Sequence, residues 1–582
     1  MDSINSPSQL KKNQTPPPFH WINLFCHSKQ WFFLPPLFLF FFAFVLLSSG
    51  SYSLPLIDRD EPRFAQAARE MLQKRDFIVP FFNGEFRLDK PPLIYWLMAF
   101  FYQLFGVNEF SARLPSILSA SILATVLYGI SNRYCSSIRW VAPIGFIVSV
   151  QTLIHGRLAT ADMVLVLFET LSQWAFLNLL KKKSHLWFFI FWISLALGFL
   201  AKGPIIWFIA FITYLLHRFV FWRKPLPIAN IAPVPGSLLC LAIVSCWAIP
   251  ALIETKGLFF KIGIGEHIIH RGIEAFDNRP FIPFYYFVSS LVSLYPNSAF
   301  FGFFLETLKK NWSMENSFLL SWFLAPILIF SFYATELPHY IMPGFPAYFL
   351  LIAQGISEAK QTRFSFLFAL FFLGLFAILA LSLIFFCLYQ GWPQDSSMKD
   401  IPILGALVLL SLSLFGFTLL SYLKNRSLSI PSAFIMALLY ALLASSLSFL
   451  SKDLRLLSLT LRLSAMFKNM PATSMNCALG YTEPSLVFYS NRNWRWDTAL
   501  PTSPKPPFFL IQLEEETSLG KGLMQSFEKT KQPQKKQEKA ISLAPFSPPP
   551  ALKNQENLGE GKIEGLNLGR ISWSKIYYHY HY

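Results

Sequence analysis

The sequence predicts an all-α polytopic membrane protein of about thirteen transmembrane helices, with juxtamembrane helices on the outer face and a small C-terminal α/β extramembrane domain. Three observations predict it. Of the 582 residues, 54% are hydrophobic and 14% charged, where a soluble domain carries roughly 25% charged residues. Apolar runs near the length of a spanning helix recur along most of the chain. The basic residues fall into alternate connecting loops.

Residues 1–30 read as a cytoplasmic N-terminal segment. Residues 31–49 (WFFLPPLFLFFFAFVLLSS) are long enough to span, and no clear small-residue cleavage site follows, so they read as the first helix. Further spans are expected at 111–130, 140–155, 163–180, 186–201, 204–221, 237–253, 284–304, 317–333, 340–357, 364–389, 401–423 and 431–450. The transmembrane domain thus occupies 31–451, with a first outer loop over 50–110. The short aromatic run 92–106 (PLIYWLMAFFYQLFG) reads as an interfacial helix, with a further span as the alternative.

The formal net charge of +17 is a matter of topology and not of nucleic acid. One set of loops carries Lys11, Lys12 and Lys29, Arg133 and Arg139, Lys181, Lys182 and Lys183, Arg218, Arg223 and Lys224, Lys309 and Lys310, Lys360 and Arg363, and Lys424 and Arg426. These loops are cytoplasmic by the positive-inside rule, so the N-terminus lies inside and the C-terminus outside. The opposite loops carry mixed charge. Between residues 50 and 90, seven acids face seven bases, which suggests a structured polar site more than a topogenic signal.

Within that loop Asp60 can cap a helix, and Pro62 suits its first turn. Phe64, Ala67, Ala68, Met71 and Leu72 recur at helical spacing, so an amphipathic helix lying on the membrane is expected. A turn follows at Asn83-Gly84, then Asp89-Lys90-Pro91-Pro92. Beyond residue 451, short apolar runs and turn residues over 452–515 suggest the extramembrane α/β domain. From 516 to 582 the chain turns Lys-, Gln- and Pro-rich and reads as a disordered tail. Its terminal YYHYHY fits no element read from composition. The six cysteines are scattered without a ligand-like spacing.

Three runs carry a family resemblance: Asp58-x-Asp60-Glu61-Pro62-Arg63-Phe64-Ala65 with Ala68-Arg69-Glu70-Met71, Asn83-Gly84 followed by Lys90-Pro91-Pro92-Leu93-x-Tyr95-Trp96, and Phe105-Gly106-x-Asn108-Glu109 with Ala112-Arg113-Leu114-Pro115-Ser116. They resemble the 4-amino-4-deoxy-L-arabinose transferases and the dolichyl-phosphate-mannose-protein mannosyltransferases of the GT-C superfamily. The likeness continues through Arg157 and Asp162, Ala201-Lys202-Gly203-Pro204, Leu337-Pro338-His339-Tyr340-Ile341-x-Pro343, and Tyr481-x-Glu483-Pro484-Ser485-Leu486, covering most of 30–490. It implies an inverting transfer of sugar from a polyprenyl (undecaprenyl) phosphate carrier at the periplasmic face of a bacterial inner membrane. The implied acceptor is lipid A, a protein hydroxyl or another glycan.

Such a reaction expels a phosphate, so cations are needed where its charge grows. Lys90, Lys202 and Arg271 are the candidates for donor phosphate binding. Lys202 follows an apolar span directly and could also simply snorkel to the interface. Asp60, Glu61 and Asp162 are the candidate catalytic acids, to orient the acceptor or take a hydroxyl proton; Asp60 and Asp162 could equally cap helices. Glu266, His267 and His270 offer a ligand pair one helical turn apart, which leaves a divalent metal open, but no metal or cofactor is assigned. One departure from the family pattern is Glu336, where relatives usually carry lysine before Leu-Pro. A lipid flippase or transporter is the alternative of a different class. It would place ionisable residues near the bilayer midplane, whereas most charges here gather at helix ends.

Overall fold

The computed structural model describes residues 34–134, 139–270, 284–357, 363–389, 458–466, 475–496, 508–518, 558–567 and 572–581, with isolated positions between them. The N-terminal segment 1–30, the expected spans 401–423 and 431–450, and Arg271 lie outside the described residues. The described residues are mostly helical, with one small mixed sheet near the C-terminus.

The helical part opens with α1 (Leu34–Ser48), whose apolar sequence packs along the long α4. Between them lie α2 (Asp60–Lys74), a hairpin of β1 (Phe81–Phe82) and β2 (Glu85–Phe86), and α3 (Leu93–Phe105). Helix α4 runs from Glu109 to Tyr134. Asn83 and Gly84 both have positive φ, 59° and 83°, so the predicted Asn-Gly turn is the mirror-image type that suits a two-residue hairpin. Helix α2 buries the apolar stripe expected of it, including Phe64, Ala67, Ala68 and Met71, against α3. Its N-cap is Arg59 without a side-chain cap, so Asp60 opens the first helical turn and is not the cap that the sequence suggested.

Among the described residues, five helices are long and apolar enough to cross a membrane: Glu109–Arg133, Asp162–Lys181, His185–Lys202, Ile228–Glu254 and Met314–Ser331. Several other expected spans are broken. The span at 140–155 divides into α5 (Val141–Val148) and α6 (Val150–His155), because Ser149 is extended at φ −72°, ψ 139°. Helices α7 (Asp162–Lys181) and α8 (His185–Lys202) form a close antiparallel pair. Gly203 at φ 83° then stops α8, and Pro204 starts α9 (Ile205–Leu215). After α10 (Pro233–Glu254) comes α11 (Tyr285–Ser293), which meets the helical stretch Asn297–Lys310 at 111°. That stretch contains α12 (Phe301–Lys310) and leads into α13 (Met314–Ser331). The span expected at 340–357 begins as a 3₁₀ segment, Pro338–Gly344, before α14 (Phe345–Ser357) and α15 (Arg363–Tyr389). One acid breaks the pattern of charges at helix ends. Glu169, fully buried two turns into α7, accepts from Gln173 at 2.6 Å.

The C-terminal unit contains α16 (Leu459–Met466), β3 (Met475–Leu479), α17 (Pro484–Ser490), β4 (Arg495–Trp496), β5 (Phe508–Ser518), β6 (Leu558–Asn567) and β7 (Ser572–His581). Its sheet runs β4-β3-β5-β7-β6, parallel among the first three and antiparallel across β5, β7 and β6. This corrects the reading of 516–582 as a disordered tail: residues 558–567 and 572–581 supply two of the five strands. It also accounts for YYHYHY. Tyr578 and Tyr580 alternate onto one face and stack on Phe509, while His579 takes the other.

Candidate active site

The antiparallel pairing of α7 and α8 brings the first residue of one beside the last of the other. Asp162 and Lys202 therefore meet, the lysine Nζ donating to Asp162 Oδ1 in a closely paired contact. The 3₁₀ segment passes over both. His339 Nε2 lies 3.8 Å from Asp162 Oδ1, and Lys202 Nζ stands 5.4 Å from the centre of the Tyr340 ring. Burial pushes the His339 imidazole down to about 3, so it is neutral at physiological pH. From the third side comes His155, at the end of α6, whose ring centroid is 4.6 Å from that of His339. Gln151 bonds its Nδ1 at 3.0 Å.

Asp162, Lys202, His339 and Tyr340 border a cavity of about 100 Å³. Lys90, Asp162, Lys202, His339 and Tyr340 form its polar end. Leu165, Val166, Ile205, Phe208, Phe330 and Tyr333 wall the rest. An anion fits the polar end and a hydrocarbon the remainder, in one continuous space. Lys90 follows the hairpin. Its neighbour Asp89 pairs with Arg87 at 3.2 Å, and Arg87 Nε donates to Tyr95 Oη at 3.0 Å, which ties the strand to α3.

Of the predicted site residues, the structure gathers Lys90, Lys202 and Asp162 around one space. Asp60 is exposed at the start of α2, where its charge acts on Arg63, Arg87 and His155. Glu61 faces elsewhere. It is 1% exposed and receives Arg113 Nε and Nη2 at 2.8 Å each, with Ile57 N and Ala159 N at 2.7 Å. Arg113, wholly buried, spends its other donors on the carbonyls of Ser51, Leu54 and Pro55 at 2.7–2.8 Å. The pair thus clamps the end of α1, the start of α2 and the 156–162 loop together. Glu266 sits exposed in a π-helical stretch, Lys261–His270.

Sequence reasoning missed Arg113, His155, His339 and Asp58 as site-building residues. Asp58 accepts from Ser485 N at 2.7 Å and from Ser485 Oγ, at the start of α17. Tyr489 Oη accepts from Leu56 N at 2.8 Å, and Arg69 donates to Phe488 O at 2.7 Å. Asn83 and Trp494 exchange two bonds of 2.7 Å. The sheet unit therefore rests directly on the loop that carries Asp60 and Lys90. Arg113 could have been noticed as a base inside an otherwise apolar span.

Comparison with known proteins agrees with this architecture. The family model for dolichyl-phosphate-mannose-protein mannosyltransferase matches residues 89–249. An uncharacterized protein of Aquifex aeolicus is 32% identical over 315 residues, 53% of this chain and 70% of that protein. A second, also from Aquifex aeolicus, is 29% identical over 337 residues, 56% of this chain and 65% of its own length. The undecaprenyl phosphate-alpha-4-amino-4-deoxy-L-arabinose arabinosyl transferase of Photorhabdus laumondii is 26% identical over 365 residues, 58% of this chain and 64% of that one. The chain thus spans slightly less than two thirds of these last two relatives. The crystal structure of ArnT from Cupriavidus metallidurans bound to undecaprenyl phosphate shares the fold with a TM-score of 0.67 at 16% identity, over 85% of this chain and 94% of that one. With the outer-loop motif, the cavity at the ends of α7 and α8, and these likenesses together, the chain belongs to the ArnT-like branch of the GT-C superfamily.

Proposed function

We propose that the protein transfers a sugar from a polyprenyl-phosphate carrier, undecaprenyl phosphate first, to an acceptor at the periplasmic face of the inner membrane. The single observation that carries this reading is the cavity in which Lys90 and Lys202 stand at one end of an otherwise apolar space. A phosphate seated there leaves its prenyl chain against Leu165, Ile205 and Phe208. The relatives support the same donor: the curated transferases are named for it, and the ArnT crystal structure holds undecaprenyl phosphate. The acceptor class we favour is lipid A, with an aminoarabinose-type sugar. A protein hydroxyl acceptor is the alternative within the family.

In the reaction the acceptor oxygen attacks the anomeric carbon, and the bond from that carbon to the phosphate oxygen breaks with its electron pair staying on phosphate. One displacement inverts the anomeric centre. Lys90 and Lys202 stabilise the charge that grows on the departing phosphate. Arg271, a candidate from sequence, would add to them. Asp162 positions Lys202. Asp60, exposed at the start of α2, takes the proton of a hydroxyl acceptor, or orients a phosphate acceptor that is already ionised. Glu61 holds the loop through Arg113 and does no proton transfer.

The test mixes purified protein with radiolabelled undecaprenyl-phosphate sugars and an outer-membrane extract, alongside Lys90→Ala. Label entering the lipid fraction with wild type alone supports the lipid acceptor; label in protein moves the reading to a hydroxyl side chain. Equal transfer by both proteins removes Lys90 from the mechanism. Label that crosses a proteoliposome bilayer without any transfer would establish a transporter instead.

A further inference from the structure

We propose that His155, Asp162 and His339 form a binding site for a divalent transition metal, zinc first, and that the bound metal releases Lys202 from Asp162 toward the donor phosphate. The second half rests on the donor reading above; the site itself does not.

Each of the three residues comes from a different element: His155 from the end of α6, Asp162 from the start of α7, His339 from the 3₁₀ segment. One ligand atom from each lies within 4.8 Å of the others. Tetrahedral zinc with bonds of about 2.0–2.1 Å needs its ligand atoms roughly 3.4 Å apart. Small side-chain rotations therefore suffice to close the triad. His155 and Asp162 are buried at 7% exposure each, and His339 borders the cavity, so a fourth position would open on the space assigned to phosphate.

The donor set indicates the class of ion. Two imidazoles and one carboxylate suit zinc and its divalent transition-metal neighbours, whereas calcium and magnesium prefer oxygen alone. An outer partner is also in place. Gln151 reaches His155 Nδ1 at 3.0 Å and is itself held by Ser293 Oγ at 3.1 Å. In the structure the amide nitrogen faces Nδ1 and the amide oxygen accepts from Ser293 Oγ; a 180° flip of the amide, which its outline allows, puts the oxygen on Nδ1–H and leaves the Nε2 lone pair for the metal.

The arrangement is hard to explain by the ion pair alone. Lys202 already neutralises Asp162, yet two imidazoles lie beside that pair with ring centroids 4.6 Å apart and planes tilted by 32°. Their lone pairs gain most when a cation stands among them. A divalent ion there competes with Lys202 for the carboxylate and repels the ammonium. Released from the carboxylate, the ammonium stays at the polar end of the cavity beside Tyr340, where the reading above seats the donor phosphate.

The experiment uses the purified full chain in detergent. Zinc content after desalting and zinc K-edge absorption fine structure are measured first, followed by carrier-phosphate affinity with and without zinc. We expect one zinc per chain with two imidazole nitrogens in its shell. His155→Gln and His339→Gln should each weaken zinc by about 100-fold or more, since even losing an outer partner costs 10–100-fold. Zinc should tighten undecaprenyl phosphate binding in wild type and do nothing in Lys202→Met. Wild type that retains no zinc overturns the site, and this measurement depends on no variant. Zinc kept by both histidine variants but lost in His267→Gln moves the ligands to the 266–270 stretch and overturns the assignment. Zinc at the triad with unchanged carrier affinity overturns the coupling to Lys202. Zinc at the triad with no carrier binding at all overturns the donor reading and leaves the site standing.

Discussion

Two carboxylates from different loops, Asp162 and Asp58, have taken different work. Asp162 is the anchor of Lys202 at the N-terminal end of α7. In Asp162→Asn the amide still bonds but no longer holds an ammonium, so we expect transfer to fall about 100-fold, in the range found when one charge-stabilising group is lost. Initial rates at varied carrier concentration measure it. Asp58, just upstream of the Asp60-Glu61 pair, caps the incoming α17. Burial raises its carboxyl from the usual 3.8 to about 7, the Ser485 bonds opposing and Glu483 adding to the rise. Because the folded value is the higher one, native protein keeps a proton that the unfolded chain gives up. That stability is whole below pH 3.8 and is lost as pH rises through about 7. Asp58→Asn cannot ionise, so its Tm relative to wild type should climb between pH 4 and pH 8. A Tm difference flat across that range would refute it. Lys90, Lys202 and Asp162 were legible in the sequence because each stands at the edge of an apolar run beside Pro, Gly or a polar loop. His155 and His339 were not. A histidine flanked by apolar residues looks the same whether it packs, caps or binds, and only the fold brings these two rings together.

At the scale of elements, the clamp made by Arg113 and Glu61 decides whether the outer loop has one shape. Five N–H groups of the guanidinium find five acceptors, so nothing in it is left unsatisfied. Arg113→Ala strands Glu61 as a lone buried charge and should cost about 3–5 kcal/mol. Arg113→Met with Glu61→Leu removes both charges and should recover much of that loss. Thermal unfolding in detergent compares the two, and equal losses would refute the argument. Hydropathy located most of these helices, since burial in lipid and burial in a core demand the same residues. It could not see the breaks at Ser149, at 294–296 or over Pro338–Gly344. Averaging over an apolar window hides a single extended residue or a 3₁₀ turn. Those breaks matter because the 3₁₀ turn is what carries His339 and Tyr340 to the cavity.

For the whole molecule, the sheet unit and the membrane unit are one machine joined through α17. Removing residues 558–582 strips β6 and β7, baring β5 and taking Tyr578 and Tyr580 from Phe509. We expect the truncated chain to insert in the membrane, to be cut by protease within 475–518, and to transfer at least about 10-fold more slowly, because its outer loop loses support. Full activity after truncation would make the sheet dispensable. The composition of the segment before β6, rich in Lys, Gln and Pro, masked the strand pattern that follows it. The two-residue alternation of YYHYHY was the one readable sign. The contact between Leu56 and Tyr489 joins residues 433 positions apart. The outer loop leaves the ribosome early and meets its partner only after the intervening helices have been inserted. A nascent or prematurely ended chain therefore carries Asp60 and Lys90 on a loop that lacks its Ser485, Phe488 and Tyr489 contacts. Synthesis is thus ordered so that the loop of the proposed site takes its final shape last.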